Sequence, residues 1–140
     1  MSDAMTLEVE ALIRQWQTCY RTKDADALMA LASGDDVVLV GTGADEVRFG
    51  LAAAREQLER DFGQTDDVEL TFDNLRINPA GDSVAFVYGD AVVAGWAGGE
   101  AFEMSGLRFT FGLIRTALGW RFAQVHVSVP NAAQDDGSSI

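Results

Sequence analysis

The chain has 140 residues, 48% of them hydrophobic and 23% charged. That is the length and balance of one globular domain able to bury about two-thirds of its unfolded surface. Its 22 acidic side chains outnumber 10 lysines and arginines, a formal net charge of −12. Such a surface repels phosphate backbones and anionic headgroups, which argues against nucleic acid and membrane partners. The opening MSDAMTLEVEALIRQW lacks a basic region followed by an apolar run, and no stretch reaches about 18 uninterrupted apolar residues, so the chain reads as cytoplasmic.

The first half reads as helices. From Thr6, a candidate cap, to about Arg21, the residues Val9, Leu12, Ile13, Trp16 and Tyr20 recur at helical spacing. Asp24 can cap a second, short helix from Ala25 to Ala32, which Ser33-Gly34 ends. Val37 to Val40 suits a buried strand, and the loop GTGADEVRFG follows. Asp45 and Glu46 read there as ordinary loop charges. Leu51 to Phe62 reads as a third helix, with Leu51, Ala54, Leu58 and Phe62 on one side.

The second half changes period. Val68–Ile77, Val84–Trp96, Ala101–Arg115 and Trp120–Val129 are long β-rich runs separated by NPAGDS, AGGE and TALG, all suited to hairpins. Helices ahead of such a meander imply an α+β domain. Strands this long need strong curvature to be covered, and Gly89, Gly95, Gly106 and Gly112 can supply kinks or bulges. The expected architecture is a cone-shaped α+β barrel, with N-terminal helices packed in a strongly curved antiparallel sheet. It occupies residues 1–130, and the small polar segment 131–140 reads as a disordered tail.

Cys19 is the only cysteine and falls in a helical pattern, so no intrachain disulfide forms and a buried thiol is expected. His126 is the only histidine, which leaves no Cys/His cluster for a metal; no metal or cofactor is implied. Strict alternation places Trp120, Phe122, Gln124, His126 and Ser128 on one face of the last strand. The opposite face carries Arg121, Ala123, Val125, Val127 and Val129, an aliphatic row suited to a core or an inter-subunit contact. Aromatics mixed with a histidine, an amide and a hydroxyl suit a small-molecule pocket, although a histidine hydrogen-bonded inside a core fits the same pattern. Trp16 and Tyr20, one helical turn apart, are further wall candidates, as are Tyr88 and Trp96, which share a parity with Asp90. Asp90 can act as a base if burial beside Tyr88 raises its pKa. Arg108 and Thr110 share a face one strand before His126, and the TALG turn leaves open whether the two faces coincide. GTG is not followed by Lys-Ser/Thr and makes no phosphate cradle.

The helix order, the stretch DDVVLVGTGADE, the pair Arg108-x-Thr110 and the closing GWRFAQVHVSVP together resemble the nuclear transport factor 2-like superfamily. The likeness is strongest to its SnoaL-like group of small bacterial proteins, related to ketosteroid isomerase and polyketide cyclases. Trp120, His126, Ser128 and Pro130 match a family ending G-W-R-x-x-H-x-H-x-S-x-P, with Gln124 where a first histidine is common. The resemblance implies a homodimer and a pocket between sheet and helices. Positions equivalent to the isomerase acid and base groups fall near Trp16, Gly41 and Gly106 or Leu107, so conventional ketosteroid isomerase machinery is missing. Two functions follow. One is a pocket for a small hydrophobic or aromatic ligand, with His126 as acid–base group, Asp90 in reserve, and Trp16, Tyr20, Tyr88, Trp96, Arg108, Gln124 and Ser128 as contacts. The other is a non-catalytic dimeric binding or assembly module joined through the sheet.

Overall fold

A computed structural model describes residues 3–140. Its helices are α1 (Asp3–Arg21), α2 (Ala25–Ala30) and α3 (Leu51–Gly63). Its strands are β1 (Val38–Val40), β2 (Val47–Phe49), β3 (Asp67–Ala80), β4 (Val84–Ala97), β5 (Glu100–Thr116) and β6 (Gly119–Ser128). Three helices pack against one six-stranded open sheet of order β2-β1-β6-β5-β4-β3.

The four long strands form the expected antiparallel meander, but the sheet as a whole is mixed. β1 runs parallel to β6, pairing Leu39 with Val125, and β2 folds back on β1. β2 lies within the stretch read from sequence as loop. Three residues long, it gives too little alternation to recognise, and its partner is fixed by a non-local pairing. Thr6 sits inside α1 rather than at its start, because the helix begins at Asp3. The Asp24 carboxylate does cap α2, accepting the Ala27 N–H at 3.0 Å. Residues 131–140 carry turns and no helix or strand.

Register shifts bend the long strands where glycines had pointed. Gly89 lies opposite the extra residues of β3 between Asp73 and Arg76. Gly106, at φ +72°, lies in the shift between β4 and β5, a conformation that favours glycine. Gly112 borders the shift between β5 and β6. Gly95 serves a different need: a Cβ there would fall 1.9 Å from the Asp67 carbonyl oxygen.

The core lies between the helices and the concave face of the sheet. Val9, Ile13 and Trp16 of α1 meet Phe72, Phe111, Leu113 and Phe122 of the strands, all buried. Trp16 packs edge-on against Phe122 with ring centroids 4.9 Å apart, and Phe72 against Phe109 at 5.0 Å. Polar tacks hold α1 along β3: Gln17 Nε2 donates to the Leu70 carbonyl at 2.8 Å, and an Arg14 N–H to that of Phe72 at 3.1 Å.

Candidate functional site

Where α1 and α3 diverge from the sheet, the concave side holds a cavity of about 260 Å³, near the small end of the usual ligand-site range of about 300–1,000 Å³. Leu70, Val93, Leu107, Phe109, Val125 and Val127 form its floor, and Phe102 and Met104 its rim. Trp16 and Tyr20 face the floor from α1, four residues and therefore one turn apart. The polar wall consists of Thr42 and Glu46 from the β1–β2 loop and Gln57, Asp61, Gln64 and Thr65 from α3 and its end. No lining side chain is basic among the described residues.

The polar wall is tied together through one amide. Gln57 Nε2 donates to Glu46 Oε1 at 3.0 Å and to Asp61 Oδ1 at 2.8 Å. Its Oε1 accepts from Arg48 Nε at 3.2 Å and from an Arg60 N–H at 3.1 Å. Arg60 also pairs with Asp45 at 2.8 Å and with Glu46 at 3.5 Å, and Arg48 with Glu56 at 3.8 Å. The loop curls around Glu46, whose Oε2 accepts the Gly43 N–H. A Cβ at Gly41 would come within 2.6 Å of that carboxylate, so a side chain there would displace Glu46 from this position.

This environment shifts two protic groups. Burial, with the Glu46 charge adding to it, pushes the Asp61 carboxyl above the ordinary carboxylate range, against hydrogen bonding from Gln57 and the nearby arginines. Burial and the carboxylates of Asp61 and Glu46 push the Tyr20 phenol up as well. A carboxyl with raised proton affinity beside a neutral phenol, both on an apolar cavity, is an arrangement suited to proton transfer.

The sequence candidates divide between two faces. Trp16 and Tyr20 line the cavity. Tyr88, Asp90, Trp96, Arg108, Gln124, His126 and Ser128 do not; they lie on the outer, convex face of the sheet. Tyr88, Thr110 and His126 form one row across β4, β5 and β6, and Asp90, Arg108 and Ser128 the next, so Arg108 does share the His126 face. His126, Gln124 and Arg108 are exposed, and half of the Trp96 surface is open. The physical reason on β6 is a bulge. Gly112 pairs with Gln124 but Leu113 with Phe122, leaving Ala123 as an extra residue. Alternation restarts after it, so Trp120 and Phe122 point inward and so do Val125 and Val127. His126 is thereby turned away from the aromatics with which strict alternation had grouped it. On β4 the shared parity of Tyr88, Asp90 and Trp96 holds, but Ala85, Val87 and Ala91 take the inner face.

Asp90 does not meet the condition that would make it a base, burial beside Tyr88. The Tyr88 hydroxyl donates to its Oδ1 and Asn74 Nδ2 to its Oδ2, the latter at 2.9 Å. These donors hold the carboxyl below its usual range rather than raising it. Glu46, Gln57 and Asp61 escaped the sequence reading, though α3 offered a signal. Gln57 and Asp61 follow Ala54 and Leu58 by three residues, which puts both on the edge of the apolar stripe. Of Trp16, Gly41, Gly106 and Leu107, near which the resemblance set the isomerase acid and base groups, all but Gly106 line the cavity, and none carries a carboxyl or phenol. Among the described residues, no group of three or more His, Cys, Asp and Glu side chains is placed to hold a metal ion. None of their helices is long and apolar enough to cross a membrane.

A family model described as a SnoaL-like domain matches residues 9–132. Solved structures share the fold at low sequence identity. A nuclear transport factor 2-like superfamily protein from Salmonella enterica serovar Typhimurium is 16% identical with a TM-score of 0.86, covering 99% of each chain. A proposed aromatic ring hydroxylase from Novosphingobium aromaticivorans is 19% identical with a TM-score of 0.84, over 94% of this chain and 92% of the other. A proposed dehydratase of the same superfamily from Streptomyces avermitilis is 18% identical with a TM-score of 0.83, over 93% of this chain and 99% of the other. No curated protein sequence matches significantly.

Proposed function

The chain belongs to the SnoaL-like domain family, and we propose that within this fold its cavity binds a small, uncharged hydrophobic or aromatic molecule and performs acid–base chemistry on it through Asp61. The single observation carrying this reading is a half-buried carboxyl of raised proton affinity on the polar wall of the cavity, opposite an apolar floor and with the Tyr20 phenol on the same lining. Charge sets the ligand class. With Glu46 and Asp61 in the wall and no basic side chain there, an anionic ligand finds no counter-charge. The acid–base role thus moves from His126 and Asp90 on the outer face to the inner face. Deuterium exchange at the α-carbon of β-tetralone, a hydrophobic enolisable ketone, tests this by NMR. The protein accelerates exchange over buffer, Asp61→Asn lowers that acceleration about a hundredfold, and His126→Ala leaves it within about twofold. Full acceleration by Asp61→Asn would sink the assignment.

The outer face supports a second, compatible reading, that two copies of the chain pair through their sheets. Phe49, Phe86, Trp96 and Val47 expose 74%, 56%, 51% and 48% of their surface there. Val38, Val40, Thr110 and Gln124 continue a zone free of carboxylates from Val47 and Phe49 to Phe86, while the Asp90–Arg108 row separates it from Trp96. On a chain of net charge −12, that zone is where two copies approach with least repulsion. Phe86→Glu is expected to convert a dimer to a monomer in sedimentation velocity; an unchanged sedimentation coefficient would exclude this face as the interface.

A further inference from the structure

We propose that Gln57 is the positioning residue of the cavity: its amide, locked in one orientation, holds one oxygen of Asp61 and leaves the other free to take up and release the proton. This rests on the reading of the cavity as an acid–base site and extends it to a group that contacts no reacting atom.

The argument begins with burial. Gln57 is 2% exposed and is the one buried polar side chain among the core positions described. A primary amide offers two N–H donors and two carbonyl lone pairs, and here all are used. Both N–H groups meet carboxylate oxygens, at 3.0 Å on Glu46 and 2.8 Å on Asp61. Both lone pairs meet guanidinium N–H groups, at 3.2 Å from Arg48 and 3.1 Å from Arg60. A flipped amide would set its NH₂ against two cationic donors and its oxygen against two carboxylates, losing four charge-assisted hydrogen bonds at once. The arginines therefore fix the amide, and the amide fixes which oxygen of each acid is occupied.

The two acids are left unequal. Glu46 receives the Gln57 N–H and the Gly43 backbone N–H, and an Arg60 nitrogen lies 3.5 Å from its Oε1. Asp61 receives one side-chain donor, Gln57, on Oδ1. The groups around Asp61 are Tyr20 from α1, Glu46 from the β1–β2 loop, Arg48 from β2, and Gln57 and Arg60 from α3. In this setting Asp61 keeps a free oxygen for a proton, while the hydrogen bond that the Gln57 amide donates to Oδ1 limits how far burial can raise its affinity. Gln57 in this way moderates Asp61 without itself exchanging a proton.

NMR on protein labelled with ¹³C at the aspartate carboxyls and ¹⁵N at the glutamine amides tests this without an activity assay. In the unaltered chain the Gln57 amide protons are expected to shift with the same midpoint as the Asp61 carboxyl. In Gln57→Leu the Asp61 midpoint is expected to rise by roughly one unit as its donor is lost. Gln57→Glu, with a third carboxyl in place of that donor, is expected to raise it at least as far. Gln57 amide protons that ignore the Asp61 titration would overturn the proposal even if neither variant folds. An unmoved Asp61 midpoint in folded Gln57→Leu would overturn it too. Coupled titrations in a protein that does not accelerate β-tetralone exchange would refute the catalytic role and leave the amide lock standing.

Discussion

The two faces of the sheet carry the same kinds of groups and put them to different uses. Each has a carboxyl near a tyrosine, Asp61 by Tyr20 inside and Asp90 by Tyr88 outside. Inside, lost hydration dominates and the carboxyl holds its proton more tightly than in water. Outside, the Tyr88 hydroxyl and the Asn74 amide donate to a carboxylate, and it holds its proton less tightly. Residue type and pairing do not decide reactivity here; the balance between burial and donors does. The face a residue occupies matters more than its chemistry, and on β6 that face is set by one inserted residue.

The sharpest way to break the contrast between faces is to truncate one inward residue of β6 beside an outward one. Phe122→Ala, at a position 1% exposed, is expected to cost about 3–5 kcal/mol, measured by urea unfolding. Deleting Ala123 joins Phe122 to Gln124 and lets β6 alternate strictly with Trp120, Phe122, Val125 and Val127 all still inward, so its cost is expected to stay below that of Phe122→Ala. Gln124→Ala, on the outer face, is expected to change stability by less than about 0.5 kcal/mol. Equal effects for Phe122→Ala and Gln124→Ala would mean that the two faces of β6 do not differ.

Much of the fold is legible in the residues themselves. The change from helical to alternating period near Val68, the hairpin glycines, and three of four candidate bend glycines all have local signatures that survive into the structure. The bulge at Ala123 has none, because alanine is acceptable to either face and the irregularity is defined by pairing with β5. That single hidden residue inverts the orientation of His126. The parallel pairing of β1 with β6 joins segments more than eighty residues apart and is equally silent. The candidate site falls between these cases. Gln57 and Asp61 could be found from the edge of the α3 stripe, whereas Glu46 enters the wall only because the glycines at 41 and 43 let its side chain fold back.

A finer contrast between the two acids lies in the pH dependence of stability. Asp61 has a folded pKa above its unfolded value, so the folded state binds the extra proton. Its contribution is fully present below about pH 4, the unfolded value, and declines as pH rises through the folded pKa. Asp61→Asn removes that decline, so its stability relative to the unaltered chain should improve as pH goes from 4 to 7. Partial access to water holds the gain under about 1 kcal/mol. Asp90 has the opposite sign: its folded pKa is depressed, so its contribution is present above about pH 4 and is lost on acidification below it. Asp90→Asn should therefore show a small deficit at neutral pH that closes in acid. Urea unfolding of the two variants across pH 2.5–7 reads both slopes. Parallel slopes would mean that the two faces do not present different environments to a carboxyl, and the reason for placing acid–base chemistry inside rather than outside would be gone.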